Sequence, residues 1–434
     1  MKSILTTAGL AALGVASLQA AYAPGMTEME RSKPWSVSAS LRGFYDDNYA
    51  LRPSAPVSYF DPVTGALVSE SAKKESFGLD VGARAGLHLP FERSHLAITY
   101  DFDMRWYEAR EDNNTDYTHI PKVTFDHAFS DAVKMNLSDT FAVYQEPQLG
   151  GTDPVTDPLV LRSRGNNMQN QARFSLQADL SRTFGIAVGY SNGWYDYDQD
   201  GAGSYSALLD RMEHLGRLDL RWTMTPTTVG IFGYNYRQID HDSKDSLFFG
   251  LPYVPDSMTD PAIRDAQAHY VYLGADHTFA NSLTGSLRAG ASSTMYPNAL
   301  PDADDNTISP YVDASLTHTY RQGSFAQLGV RYDRNQTDAY AYDQATMAIY
   351  ATVTHQITAK LTANVVGQIQ YGEFSGGLLD GEVDSLYLVG LNLGYQISTH
   401  FGAEIGYNYD RLDSDMPTRA YDRNRVYIGV RASY

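Results

Sequence analysis

From Trp35 onward the chain alternates apolar and polar positions in segment after segment. The last stretch shows the pattern plainly. Val426, Ile428, Val430, Ala432 and Tyr434 alternate with Arg425, Tyr427, Gly429, Arg431 and Ser433. A period of two gives an extended strand one apolar face and one polar or small face. Phe77, Leu79, Val81, Ala83, Ala85 and Leu87 repeat it against Gly78, Asp80, Gly82, Arg84 and His88, and so do Leu96, Ile98, Tyr100, Phe102, Met104 and Trp106 against His95, Thr99, Asp101, Asp103 and Arg105. Met168 to Leu180 and Val383 to Ile397 are equally regular. Reading on in this way predicts about eighteen strands, many of them longer than the roughly 9 to 11 residues a tilted strand needs to cross a bilayer.

The connections alternate too. Short turns are expected near Pro90–Ser94, Ser130–Ala132, Ser181–Thr183, Thr223–Thr227, Ala280–Ser282, Arg321–Gly323, Thr358–Lys360 and Ser398–His400, and longer Asp- and Gly-rich loops between them, longest near 46–75, 145–167 and 238–266. Long loops confined to one end are the mark of an outer-membrane barrel, with tight periplasmic turns and long extracellular loops. The predicted fold is therefore all-β: a single closed antiparallel transmembrane β-barrel over residues 35–434. Aromatic residues fall at both strand ends. Trp35, Phe91, Phe129, Phe184, Trp222, Phe279, Tyr320, Phe401 and Tyr434 lie near the short turns, and Tyr45, Trp106, Trp194, Tyr236, Tyr296, Tyr332, Tyr371 and Tyr409 near the long loops. Two such girdles suit the two interfaces of a bilayer. A solenoid would repeat at a fixed period, which these loop lengths do not.

Composition sharpens this reading. The 434 residues include 32 Tyr and no Cys, which favours strands and excludes a disulfide framework or a Cys-ligated metal. Lys2 followed by the apolar run Ile4 to Leu18 and the small-x-small triplet Ala21-Tyr22-Ala23 predicts a signal peptide over 1–23. Residues 24–34 then form a short periplasmic lead-in. No apolar run is long enough for a spanning helix. The net charge of -18 argues against nucleic acid as a partner.

Signal segment, loop alternation and terminal aromatic strand together resemble Gram-negative outer-membrane barrels. Leu41-Arg42-Gly43-Phe44-Tyr45-Asp46-Asp47-Asn48 resembles the opening strand of the Putative β-barrel porin 2 family, where a Tyr-x-Asp-Asn segment leads into the first external loop. The resemblance to outer-membrane proteins implies an assembly signal in the last strand at Tyr434, although Phe is the usual final residue of that group.

Candidate lumen-lining residues fall on the polar register: Asp101, Asp103, Arg105, Arg173, Asp179, Arg217, Asp219, Arg221, Arg288, Arg331, Glu404, Arg425 and Arg431. Barrels of 16 to 18 strands are wide enough for an aqueous channel, and rings of charge on its wall set ion preference. The loop Gln145–Asn167, with Leu149-Gly150-Gly151 and Leu159-Val160-Leu161, is a candidate constriction folded inward. Asp196, Asp198 and Asp200, followed by Gly201, have the spacing of the first half of a calcium loop, though Ala207 stands where the bidentate Glu belongs. Asp302, Asp304, Asp305 and Asn306 form a weaker acidic cluster. No other cofactor is expected. His127, His277, His318 and His355 each precede a short turn on the lipid register, where an amphipathic ring reaches the interface. No motif of a hydrolase, zinc protease or phosphate loop is present, so no enzymatic activity is expected.

The pattern points to an outer-membrane channel for passive diffusion of small hydrophilic solutes or ions. The alternative is a non-transport barrel: an anchor, an adhesin or a component of polysaccharide export. Expected partners are outer-membrane lipid and lipopolysaccharide, the barrel-assembly machinery and small solutes. Acids at the mouth, from Asp46 and Asp47 through Asp153, Asp157, Asp240, Asp242 and Asp245 to Asp413 and Asp415, predict a weak cation preference that fades as salt rises.

Overall fold

The computed structural model describes residues 34–434 apart from 55, 61–66, 71, 146–147, 150–161, 164, 249–257, 302–304 and 417. The signal segment 1–23 and all of the lead-in but Pro34 lie outside the described residues. Eighteen strands form one sheet. They are β1 Trp35–Asp46, β2 Ser76–Pro90, β3 Ser94–Tyr107, β4 Thr115–Ala128, β5 Val133–Tyr144, β6 Asn167–Asp179, β7 Phe184–Tyr197, β8 Arg211–Thr225, β9 Thr228–His241, β10 Ala266–Ala280, β11 Leu283–Met295, β12 Asn306–Arg321, β13 Ser324–Asn335, β14 Asp343–Gln356, β15 Leu361–Ser375, β16 Val383–Gln396, β17 Phe401–Ser414 and β18 Tyr421–Ser433. Each pairs antiparallel with its successor, and β18 pairs with β1 from Ser38↔Ser433 to Asp46↔Arg425. The sheet is thus a closed up-and-down barrel without a free edge.

The two-residue alternation orients the wall. On β18, Val426, Ile428 and Val430 are exposed on the outside, Ile428 at 67 %, while Arg423, Arg425 and Tyr427 are buried on the inside. On β16 Tyr387, Val389, Leu391 and Leu393 face outward, and Asp384, Leu386, Leu388 and Asn392 inward. Leu, Ile, Val and Phe exposed all round the outside form an apolar belt, which only a nonpolar solvent makes favourable.

Four of the tight turns share one device. A hydroxyl at the first turn residue accepts from the backbone N–H groups two and three residues on. Ser130 accepts from Ala132 and Val133, Ser181 from Thr183 and Phe184, Thr358 from Lys360 and Leu361, and Ser398 from His400 and Phe401. These side chains satisfy donors that the reversal of the chain leaves without strand partners. In the turn after β12, Gly323 takes a φ of +70°, a conformation that a Cβ would strain.

On the inner wall, aromatic rings lie across glycines of the neighbouring strand. Phe44 covers Gly78, Tyr272 covers Gly233, Tyr350 covers Gly329 and Tyr427 covers Gly406, each ring occupying the place a Cβ would take. A large side chain is thereby laid flat along the wall.

Candidate functional site: the lumen and its mouth

Inward-facing polar residues come together most densely around the seam where the last strands meet the first. Glu404 on β17 accepts from Arg42 on β1 at 2.7 Å, spanning β18. Arg42 also pairs with Asp80 on β2 at 3.3 Å, and Asp80 with Arg105 on β3 at 3.1 Å. Asn392 donates to Glu404 and to the Tyr427 hydroxyl. Nearer the long-loop end, Arg425 pairs with Asp46 at 2.7 Å and Arg423 with Asp410 at 3.0 Å. The members of this network are nearly all buried, and burial makes ion pairs specific rather than cheap: a lone member would leave an uncompensated charge.

The segment that carried the family resemblance is part of this seam. Asp46 is fully buried on Arg425 and accepts from the Asn48 N–H. Asp47 accepts from the backbone and the carboxamide of Asn424 on β18. Asn48 donates to the carbonyls of Arg52 and Asp422. Tyr45-Asp46-Asp47-Asn48 therefore ties the first loop to the last strand. Asp46, counted among the mouth acids from sequence, is neutralised inside the wall.

All thirteen predicted lumen residues lie on the inward register of their strands. Asp103, Arg105, Glu404 and Arg425 join the seam network, and Arg84 pairs with Asp101 close by. On the opposite wall Asp276 pairs with Arg288 at 3.2 Å and Arg221 at 3.8 Å, Arg331 pairs with Asp333, and Asp219 accepts from the Tyr272 hydroxyl. Arg173 donates to Gln171, and Arg431 to Ser38. Arg217 stands directly opposite Asn235, and Asp179 opposite Gly185.

Across the long-loop end lies an element the sequence reading passed over. β13 pairs with β12 only as far as Tyr332↔Val312, while Asp333, Arg334 and Asn335 pair with β14 alone. Above that point β13 parts from β12, while β14 stays in the wall, paired with β15 as far as Asp343↔Ser375, and the hairpin tip, residues 336–342, is held from both sides of the mouth. From one side Arg237 on β9 donates to the Arg334 carbonyl at 2.6 Å, Arg264 in the loop after β9 donates to the Thr337 carbonyl at 2.7 Å, and the Tyr340 hydroxyl reaches the Gly203 carbonyl in the loop after β7. From the other, Arg419 in the loop after β17 pairs with Asp338 at 2.7 Å and with Asp384 at 2.8 Å. Thr337 is 1 % exposed and Ala341 0 %. A hairpin tip buried to this degree is in the lumen mouth rather than out in solvent.

Apolar packing seals the tip. Tyr342 joins Leu208, Leu209, Ile239, Leu247 and Ile263, a layer built from the loops after β7 and β9. Within it a one-turn helix, α1 Tyr205–Leu209, is capped by Ser204. Ala339 and Ala341 pack on Phe374 of β15, with Leu379 and Met416 beside them. Leu51 of the first loop turns in onto Leu386, Leu388 and Leu412. Tyr296, expected in the outer girdle, is instead 3 % exposed in this layer. Alternation continued past the end of β11 misplaced it.

The charges here are set by burial. Arg264 is fully buried and donates to the carbonyls of Leu208 and Thr337 and to the Gln336 side chain. Burial, with Arg211 near, brings its pKa down to about 10, so it stays a cation at neutral pH. Arg419 is also buried, but Asp338 and Asp384 outweigh that and hold its pKa above the ordinary value. Asp210, which follows α1, is pushed up to about 6 by burial, although the Ser206 hydroxyl and the Tyr197 N–H both donate to it.

Other candidates fare differently. The constriction expected in 145–167 falls largely outside the described residues; of the part that is described, Leu149 and Arg162 pair in a short ladder. Asp196, Asp198 and Asp200 do not come together as a cage. β7 runs on to Tyr197, so Asp196 is in extended strand opposite Met168, where a calcium loop needs a tight turn. Among the described residues no three His, Asp or Glu side chains converge for a metal. Asp302 and Asp304 lie outside the described residues. His127, His277, His318 and His355 sit on the outer register at the short-turn end. His127 is hydrogen-bonded to Ser94, His277 to Thr228 and His355 to Tyr320, and the His318 ring packs on Tyr320.

Residues 256–434 match the family model described as Putative beta-barrel porin 2. That match takes in β10 to β18 and leaves Leu41–Asn48 outside it. No curated protein matches the chain. Among solved structures, the copper transporter OprC is 11 % identical at a TM-score of 0.42, covering 89 % of this chain and 64 % of its own length. The FrpB iron transporter from Neisseria meningitidis is 9 % identical at 0.44, covering 93 % and 82 %. A mutant of the ferric enterobactin receptor PfeA from Pseudomonas aeruginosa is 9 % identical at 0.43, covering 92 % and 81 %. Likeness of this order says nothing about what passes through the barrel.

Proposed function

We propose that the protein is an outer-membrane channel for passive diffusion of small hydrophilic solutes or ions, with the tip 336–342 as its constriction. The long-loop end then faces outside the cell and the tight turns face the periplasm. The observation that carries this reading is the contrast between the two faces of one wall. Outside is an apolar belt; inside are charged and hydrogen-bonding side chains on every strand, as a wet lumen requires. The tip is held by side chains rather than by strand pairing on its β12 side, so it can move without opening the barrel.

Conductance in planar bilayers tests this. Wild-type protein should give small unitary currents, and replacing Gln336–Tyr342 with a short Gly-Ser turn should enlarge them severalfold. Because the wall arginines are largely paired, the acids left at the mouth govern selectivity, and a weak cation preference should fade with salt as the Debye length falls below about 8 Å. The buried tip is also what favours the second reading, a non-transport anchor, adhesin or polysaccharide-export component. If neither wild type nor the tip replacement conducts, the channel reading fails and the second stands.

A further inference from the structure

Asp139 faces the wrong way for a carboxylate in this barrel. It lies on β5 between Leu137 and Phe141 on the outer register, opposite Val123 of β4 and Ala172 of β6, and it is exposed. It is the seventh residue of a twelve-residue strand, close to mid-height of the apolar belt. The other outward strand carboxylates lie at the long-loop rim: Asp196, Asp240, Glu373 and Asp413 beyond Trp194, Tyr236, Tyr371 and Tyr409 on their own strands, and Asp422 opposite Arg411. Asp139 has one hydrogen bond to another outward polar group: Asn170 on β6 donates its carboxamide to it at 3.0 Å. Next along the outer surface, Asn192 on β7 meets His214 on β8 at 3.2 Å, and Tyr190 meets the same ring at 2.7 Å. These polar groups climb from Asp139 toward the long-loop rim, where Asn170 stands opposite Trp194; similar Tyr–His pairs occur at Tyr100–His119 and Tyr234–His269, so the Asp139–Asn170 pair is what sets this face apart.

Lipid tails cannot serve such groups. Ionisable side chains at this depth are expensive and as a rule pair with one another or face away from lipid. This face offers both halves of a pairing. Asp139 has acceptor capacity beyond its one bond, and the Asn170 carboxamide has a second N–H to give. Small Ala172 beside them lets another surface approach closely. We propose that this face, β5 to β8, is where a second copy of the chain packs, about a two-fold axis along the membrane normal beside Asp139 and Asn170. Each Asn170 then donates one N–H to its own Asp139 and the other to the second copy's carboxyl, while a proton shared between the two facing carboxyls offsets their repulsion, closing a ring of four groups, as an isologous interface requires. The inference rests on the barrel spanning a membrane, but not on its conducting.

The chain has no Cys, so single cysteines report contacts cleanly. In native membranes under mild oxidation, Ala172→Cys should give a disulfide-linked species of twice the chain mass, while Ile349→Cys, on the outer face of β14, should not. Asp139→Leu should remove the dimer in lipid nanodiscs while the barrel remains heat-modifiable. Equal cross-linking of the two variants would overturn the proposal, as would an adduct of the Ala172→Cys chain to a different protein, or a monomeric wild type in nanodiscs whose Asp139→Leu form merely melts higher. A chain absent from the membrane fraction would instead sink the membrane reading beneath it.

Discussion

At the scale of single residues, the structure singles out side chains whose neighbours contradict their ordinary behaviour. Asp210 is one. Its folded pKa, about 6, lies above its ordinary 3.8, so folding favours the protonated acid. That contribution is complete below the lower value and is lost as pH rises through the upper. The long-loop end should therefore be more stable at about pH 5 than at about pH 7, read as a change in its thermal unfolding, and Asp210→Asn should abolish this part of the pH dependence. Gly329 is another. The Tyr350 ring fills the place of its missing Cβ, so Gly329→Ala forces the ring off the wall at a cost of about 1–3 kcal/mol. Urea unfolding in detergent should show that loss, and adding Tyr350→Ala should recover part of it.

At the scale of elements, register decides whether a substitution is tolerated. On β6, Leu176 lies opposite Met135 and Val188 on the outside, and Gln177 opposite Lys134 and Ala187 on the inside. Leu176→Arg should destabilise by about 2–4 kcal/mol and Gln177→Arg by little. Similar losses at the two sites, measured by unfolding in lipid, would mean that the register is wrong. The β13–β14 hairpin shows what register does not foresee. Its strands alternate like the others, yet above Tyr332 it gives up pairing with β12 and is bound by Arg237, Arg264 and Arg419. Each lies far from the tip in sequence, so no window of residues contains the reason for the bend.

For the whole molecule, closure is the decisive event. β1 must meet β18 across the full length of the chain, and the Arg42–Glu404 and Asp46–Arg425 pairs exist only once it has. Tyr434 belongs to the same seam: its ring lies 5.1 Å from Trp35 and 5.7 Å from His400, and its N–H donates to the Val37 carbonyl. Deleting Val430–Tyr434 should leave protease-sensitive chain in the periplasm. Normal heat-modifiable barrel after that deletion would show that the last strand is dispensable for assembly.

The strands, their number, their two faces and the alternation of tight turns with long loops were legible in the sequence, because each depends on neighbours two to five residues apart. Val426 to Tyr434 alternates whatever it packs against, and Ser181-Arg-Thr-Phe makes its turn from its own hydroxyl and backbone. The inward register of Arg105 or Glu404 could be read the same way. Their partners could not, since Arg42 reaches Glu404 only through the closed sheet. Nor could the mouth: the tip 336–342 is short and ordinary until arginines from three other elements converge on it. Local periodicity determines which way a side chain points, and closure of the barrel determines what it finds there.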